Sequence, residues 1–335
     1  MIKIGIIGPS EIALRRFLPA LCKSSDFKFI GIATANISEW EGANDDVINK
    51  EIEKAKIFTK QYGGKIFESY SSIIESEDVD SIYLPLPPAL HYKWAKLTLL
   101  AGKHILIEKP ATTSYKETSE LISIARKRDL AVHENYMFAF HNQLAAINDI
   151  ITRGEIGDVR LYRISFGFPR RASSDFRYNK QLGGGALLDC GGYTIKYASM
   201  LLGETAKIFY AQSNYDDGFD VDIFGSAALI NEHGMTAQIA FGMDSSYKCD
   251  LEVWGSKGCL VTGRVLTAPD GFVPEVSLKI GNEIEVRELP VDDAFMKSIQ
   301  KFKECIEHNS TRNNNYKVIK KQSALVAEFI TKARS

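Results

Sequence analysis

From residue 2 to residue 134, short apolar runs alternate with amphipathic segments, a pattern that few folds accommodate besides a parallel sheet crossed by helices. Residues 2–8, 27–34, 79–86, 104–108 and 130–134 read as strands. Helices are expected from about Glu11, over residues 51–62 and 91–101, and after Ser114, where Ser114 and Glu117 have capping-box spacing ahead of Leu121 and Ile122. Past Phe138 the pattern changes. Residues 159–168, 207–215, 221–230, 235–242 and 249–265 are strand-like and joined mainly by short polar or glycine-bearing turns, which favours antiparallel pairing. Helical periodicity returns over 294–307 and 316–333. The expectation is an α/β protein of two domains, 1–137 and 138–335.

Charge narrows the partners. Lysine and arginine balance aspartate and glutamate to a net −1, so no global field recruits nucleic acid or an anionic membrane, and a small molecule is the expected partner. The five cysteines are scattered, without the C-x-x-C spacing of a zinc site, so no metal is expected and a reducing compartment fits. No apolar run approaches the roughly 20 residues that cross a bilayer, and no charged-then-apolar leader follows Met1. A cytoplasmic location is expected.

The first strand runs into Gly8-Pro9-Ser10-Glu11-Ile12-Ala13. A dinucleotide fold needs small residues here, because backbone must approach a pyrophosphate and offer it helix N-terminal amides; an ordinary strand-to-helix turn is the plain alternative. Ser10 stands where the second glycine of G-x-G-x-x-G would be. The second strand ends in Thr34-Ala35-Asn36, with neither an acid for a ribose hydroxyl nor an arginine for a 2′-phosphate, which favours NADP(H) modestly over NAD(H). Leu86, Pro87 and His91 follow the third strand, and Glu108-Lys109-Pro110 the fourth, at the carboxyl ends where parallel sheets place ligands. His91 is read either as a helix cap or as a neighbour of the nicotinamide, and Lys109-Pro110 admits a cis bond.

Gly183, Gly184 and Gly185 open a segment with helical periodicity that ends at Gly203. Three consecutive glycines are entropically costly, so something must need the backbone close. Asp189 and Tyr193, four apart, are expected on one helix face, as a phenol positioned by a carboxylate requires; a solvent-facing polar pair is the alternative.

In this order these motifs resemble the Gfo/Idh/MocA family of NAD(P)-dependent oxidoreductases, which act mainly on sugars and their derivatives. The resemblance covers residues 4–13, 79–91, 101–110, the Gly154-Glu155-Ile156-Gly157 turn and 183–203. It implies an N-terminal Rossmann dinucleotide-binding domain, a doubly wound parallel sheet. It also implies a C-terminal substrate-binding and oligomerisation domain with an open, mostly antiparallel sheet, and a homodimer or homotetramer. Lys109 matches the family's active-site lysine, Asp189 the carboxylate of its D-x-x-x-H/Y motif, and Tyr193 the position that is histidine in inositol-dehydrogenase-like members. Tyrosine there is similar to glucose-fructose oxidoreductases, dimeric dihydrodiol dehydrogenases and the sugar 3-ketoreductases. Residues 12–21 and Asp175-Phe176-Arg177-Tyr178 favour the last group, while Ala35 replaces an arginine of several NADP-using relatives and residues 39–50 look inserted.

The resulting expectation is an enzyme that transfers hydride between nicotinamide and a sugar-ring carbonyl, with Tyr193 as proton donor, Lys109 stabilising the oxyanion or competing as donor, and Asp189 orienting the sugar. The cofactor set is Gly8, Pro9, Ser10, Glu11, Ile12, Thr34, Ala35, Asn36, Leu86, Pro87, His91, Glu108 and Lys109. Arg171 and Arg177, near Arg170, are expected to bind the diphosphate of a nucleotide-linked keto sugar, their alternative being a solvated loop or a pair with Asp175. A free-sugar or trans-dihydrodiol dehydrogenase, and a non-catalytic NAD(P)-binding regulator, are the competing readings.

Overall fold

The computed structural model describes residues 1–333. Six strands, β1 (Ile2–Ile7), β2 (Phe27–Ala33), β3 (Lys65–Phe67), β4 (Ser81–Leu84), β5 (His104–Ile107) and β6 (Val132–Glu134), form one sheet in the order β3-β2-β1-β4-β5-β6. All its pairings are parallel, the doubly wound arrangement expected of the first half. The order reverses beside β1, between β2 and β4, so the carboxyl ends of these strands are the switch point where such sheets bind ligands.

The helices of this unit start on local signals. Residues 11–21 are helical through a π turn at Ala13–Phe17 and the short α1 (Leu18–Leu21); Pro19 has no N–H to give Arg15, and the wide turn lies just ahead of it. α2 (Asp45–Tyr62) begins earlier than its periodicity indicates. Asn44 accepts from the Val47 N–H, and Asp45 and Asp46 fill the first turn, so the apparent insertion supplies a helix start. α3 (Tyr70–Glu75) carries a Ser69/Ser72 capping box, and α4 (Pro88–Leu100) has proline in its first turn. In α5 (Tyr115–Arg128) the Ser114 hydroxyl accepts from the Glu117 N–H, while the Ser114 N–H goes to Thr112.

The second sheet has eight strands: β7 (Val159–Gly167), β8 (Lys207–Tyr215), β9 (Asp222–Ile230), β10 (Thr236–Gly242), β11 (Lys248–Gly255), β12 (Gly258–Thr262), β13 (Glu275–Ile280) and β14 (Glu283–Glu288). Their order is β14-β13-β12-β11-β7-β10-β9-β8, antiparallel except for the parallel β7–β10 pair. The single strand expected over 249–265 is two, turning at Ser256-Lys257. β13 and β14 carry no strong sequence signal, β14 being exposed along nearly its whole length. One face of the sheet is apolar, with Ile164, Phe166, Ile239, Phe241 and Leu251 buried under α6 (Asn142–Thr152) and α7 (Gly192–Leu202).

The chain then forms α8 (Ala294–Glu307) and α9 (Asn309–Ala333). Two compact units result: residues 1–135 with Phe295–Lys320, and Tyr136–Ala294 with the segment from Lys321 onward. Residues 295–320 thus belong with the first sheet, against which Ile299, Phe302, Tyr316 and Ile319 are buried, whereas a linear division after residue 137 leaves them with the second. No helix among the described residues is long and apolar enough to cross a membrane.

The glycine run does not open a plain α-helix. A turn over Lys180–Leu182 leads to Gly183 at φ 78°, a π turn spans Leu187–Gly191, and α7 begins only at Gly192. Gly185 has φ 117°, and a Cβ there would lie 2.4 Å from an Asp222 carboxylate oxygen. Gly185→Ala is therefore expected to cost roughly 2–3 kcal/mol of unfolding free energy, from strain plus collision. Gly203, also at positive φ but with nothing within 4 Å of its Cβ position, should cost about 1 kcal/mol on the same change. Urea denaturation of the two variants tests this; equal losses would show that the Asp222 contact yields freely.

Candidate active site

The nucleotide end is built where β1 meets the first helix. Gly8 sits at φ 89° and its Cβ would fall 2.6 Å from Leu86, so backbone alone fits that turn. Ser10 caps the helix, its hydroxyl accepting from the Ala13 N–H at 3.2 Å, and the Ser10 N–H is turned back onto the Gly8 carbonyl. Glu11 and Ile12 are then the leading amides, which a helix start leaves without internal acceptors. A pocket of about 700 Å³ opens at the end of β2, lined among others by Thr34, Asn36, Ser38, Asp45 and Glu68. Ala35 is buried in the core at 1% exposure and is not among the residues that line the pocket.

This cradle fits a dinucleotide, with the glycine turn for the pyrophosphate and the pocket for the adenosine half. The carboxylates missing after β2 arrive from elsewhere, Asp45 from the first turn of α2 and Glu68 from the end of β3, and no lysine or arginine among the described residues lines the pocket. A third acid, Glu39, is fully employed. It accepts from the Asn36, Tyr70 and Ser71 N–H groups and the Ser71 hydroxyl, tying the loop after β2 to the start of α3.

At the ends of β4 and β5, His91 is completely buried, and its two ring nitrogens lie 2.7 Å from the Leu86 carbonyl and 2.8 Å from the Pro110 carbonyl. It is a strut between the two strand-end loops, its neutral ring donating to one of the two carbonyls. Pro87 precedes α4 as its cap, and the Lys109-Pro110 bond is cis. Glu108 accepts from the Tyr83 hydroxyl and the Asn135 amide, both at 2.6 Å. Asn135 in turn accepts from Ser298 on α8, and Ser298 meets His133 at 2.9 Å. Burial pushes the Glu108 carboxyl up, while these two donors and the neighbouring Lys109 charge oppose the shift. Tyr83, Asn135 and Ser298 have no local sequence signature, since they meet Glu108 only through sheet order and the return of α8.

In the second unit, Asp189 lies in the π turn and Tyr193 in the first turn of α7. Tyr193 is 7% exposed, boxed by Tyr136, Phe138 and Phe166 at ring-centroid distances of 5.2, 5.7 and 5.3 Å. Asp222 accepts from the Leu187 N–H at 2.7 Å, fastening β9 to the head of the π turn; burial raises its carboxyl to about 6. The three arginines differ. Arg177 pairs with Asp189 and Asp175, and Arg170 with Asp216 and Asp244. Arg171 lies over Phe168 and has no carboxylate partner among the described residues. No cluster of three or more potential metal-binding side chains occurs among the described residues.

A glycine-turned dinucleotide cradle on a doubly wound sheet, with a lysine at a strand end and an aspartate–tyrosine pair on a second unit, defines a nicotinamide-dependent oxidoreductase. Residues 2–136 match the family model of the oxidoreductase NAD-binding Rossmann fold, and residues 144–261 that of the GFO/IDH/MocA C-terminal domain. The chain belongs to the GFO/IDH/MocA oxidoreductase family. It is 37% identical over 305 residues to a dTDP-3,4-didehydro-2,6-dideoxy-alpha-D-glucose 3-reductase of Actinomadura kijaniata, covering 91% of this chain and 87% of that one. It is 36% identical over 306 residues to the enzyme of the same name from Streptomyces violaceoruber, covering 91% and 85%. Among solved structures, KijD10, a 3-ketoreductase from Actinomadura kijaniata in complex with NADP and TDP-benzene, superposes with a TM-score of 0.91 at 35% identity, covering 99% of this chain and 97% of that one.

The two strongly shifted histidines set an acid limit to stability. His91 and His104 are held down to about 4, foremost by burial, with Lys109 and Arg312 respectively adding positive charge. Because the folded value lies below the ordinary 6.5 or so, the unfolded chain binds more protons as pH falls. Their contribution is complete above about pH 6.5 and is lost towards pH 4, at up to roughly 1.4 kcal/mol per pH unit for each histidine. Asp222, raised to about 6, works in the opposite direction below that pH, so the histidine share is read as the difference in slope between the native chain and a His91→Gln/His104→Gln variant from pH 7 to 4.5. An unchanged slope would assign the acid loss to other groups.

Proposed function

We propose that the protein is an NADP(H)-dependent reductase of a nucleotide-linked keto sugar, acting on a ring carbonyl of a deoxyhexose carried on a dTDP-like diphosphate. The observation that carries this reading is the end-to-end similarity to 3-ketoreductases in a chain that keeps Lys109, Asp189 and Tyr193. When bound, the nicotinamide supplies hydride chemistry. The Glu11 and Ile12 amides hold the pyrophosphate, and Thr34, Asn36 and Ser38 face the adenosine half. The preference for NADP(H) over NAD(H) is drawn from the NADP-bound 3-ketoreductase; Asp45 and Glu68 in the pocket, with no cation beside them, work against a 2′-phosphate and keep the preference modest, about tenfold or roughly 1.4 kcal/mol.

The remaining chemistry is proton supply and charge stabilisation. Tyr193 gives its phenolic proton to the oxygen that was the carbonyl, and its aromatic box keeps water from substituting as donor. Lys109 places an ammonium at the developing oxyanion, and Asp189 accepts from a sugar hydroxyl and so fixes which ring carbon is presented. Arg171, without a carboxylate of its own, is the arginine we assign to the diphosphate. Tyr193→Phe should lower kcat by roughly 10² to 10⁴ with NADPH affinity nearly unchanged, and Lys109→Ala should do at least as much damage. Arg171→Ala should raise KM chiefly. Steady-state assays against dTDP-keto sugars, free sugars and dihydrodiols, with fluorescence titration of NADPH, decide the matter. Efficient turnover of a free sugar, indifferent to Arg171→Ala, would remove the nucleotide-sugar reading; full activity in Tyr193→Phe would pass the donor role to Lys109.

We further propose a homodimer or homotetramer built on the uncovered face of the eight-stranded sheet. That face carries Tyr210, Phe224, Trp254, Val261, Ile284 and Val286, each between 42% and 67% exposed. Apolar surface on that scale is unusual for a monomer, and a two-fold axis would let the patch cover itself. Sedimentation should find an oligomer that Phe224→Glu/Trp254→Glu dissociates; a monomeric native chain would end the proposal.

A further inference from the structure

The arginine at 177 holds a carboxylate of the proposed site rather than a phosphate, and from this we infer that Arg177 is a positioning residue for Asp189. The inference rests on the proposed role of Asp189 in orienting the sugar. Arg177 Nε donates to Asp189 Oδ2 at 2.6 Å, and Nη1 donates to Asp175 Oδ1 at 3.1 Å and Oδ2 at 3.3 Å. The three side chains are 21%, 12% and 19% exposed, so the group is largely withdrawn from water. One guanidinium between two carboxylates carries no surplus positive charge, and a diphosphate would have to displace one of them. Anchored on Asp175, the planar guanidinium presents its Nε–H to Asp189 Oδ2 from a fixed direction, which a mobile ammonium would not do.

The backbone of Arg177 is held as well, once within its own segment and once by the glycine run ahead of the π turn. The Arg177 N–H donates to Asp175 Oδ1 at 3.0 Å, and the Arg177 carbonyl accepts from the Gly185 N–H at 2.9 Å. A Cβ on Gly184 would stand 2.4 Å from that carbonyl, so the approach exists only because residue 184 is glycine. Asp189 itself lies in a π turn, where the regular helical register is interrupted. The short segment Asp175–Arg177 reaches its carboxylate from outside the helix. It also explains why a basic residue occurs just before the glycines without serving as a ligand.

Kinetics of four forms test the inference: Arg177→Ala, Arg177→Lys, Asp189→Asn and the double Arg177→Ala/Asp189→Asn, assayed with a dTDP-keto sugar and NADPH, each checked by thermal midpoint and NADPH titration. Arg177→Ala and Asp189→Asn should each lower kcat at least tenfold, with KM changed less than about threefold. The double variant should be no worse than Asp189→Asn alone, because the arginine acts through the aspartate. Arg177→Lys keeps a positive charge but loses the Nε–H donor; it should fold and still lose at least tenfold in kcat, which covers the case in which Arg177→Ala does not fold. Effects that multiply in the double variant, a loss confined to KM, or wild-type kcat in Arg177→Lys would each overturn the positioning role. Wild-type activity in Asp189→Asn would overturn the reading of Asp189 and this inference with it, whereas a crippled Asp189→Asn beside an intact Arg177→Lys overturns the inference alone.

Discussion

The second unit depends on how closely polypeptide backbone approaches at the head of its central helix. Gly184 lets the Arg177 carbonyl in, Gly185 lets Asp222 in, and a methyl group at either position would meet an oxygen at 2.4 Å. From that contact the Asp222 carboxylate reaches the Leu187 amide, and β9 becomes the anchor of the π turn. The cost of three adjacent glycines in chain entropy is offset by this packing, which leaves Tyr193 enclosed by Tyr136, Phe138 and Phe166. A helix begun by ordinary residues would stand farther from β9, and its polar side chains would be set by solvent rather than by neighbours.

The first unit uses a different device. Its ligand-facing loops lie at the ends of separate strands, and polar struts, fully buried at His91 and partly buried at Glu39 and Glu108, join them. His91 spans the Leu86 and Pro110 carbonyls, Glu39 joins the loop after β2 to α3, and Glu108 ties β5 to β4 through Tyr83 and to β6 through Asn135. At His91, which is fully enclosed, losing one partner would strand a polar group away from water. Rigid strand ends with satisfied polar links are what a site needs when its chemistry depends on small differences in placement.

Much of this was legible in the residues. Periodicity located β1, β2, β4, β5 and β6, and the motif order named the family, because both signals are local. β3 was too short to announce itself, and β14 too exposed. The helical pattern over 183–202 hid a π turn, since side-chain spacing does not distinguish one widened turn from an α-helix. Arg177 was visible as a basic residue near the glycines, but its partners are set by how 175–177 folds back. Asp45 and Glu68 reach the nucleotide pocket from a helix start and a strand end, and no motif after β2 could have signalled them.

The order of synthesis gives the division of the chain a further meaning. Ile299, Phe302, Tyr316 and Ile319 complete the cores around the first sheet, yet they are made only after the whole of the second sheet. α9 contributes Tyr316 and Ile319 to one core and Leu325, Val326 and Phe329 to the other. A ribosome-bound chain that has released only its first 135 residues therefore holds a parallel sheet with part of its apolar surface uncovered, exposed until the closing helices emerge. The amino-terminal half is not a detachable module: gene truncation, fusion or domain exchange at residue 136 would carry that uncovered surface with it, and a viable graft would have to include the last two helices as well.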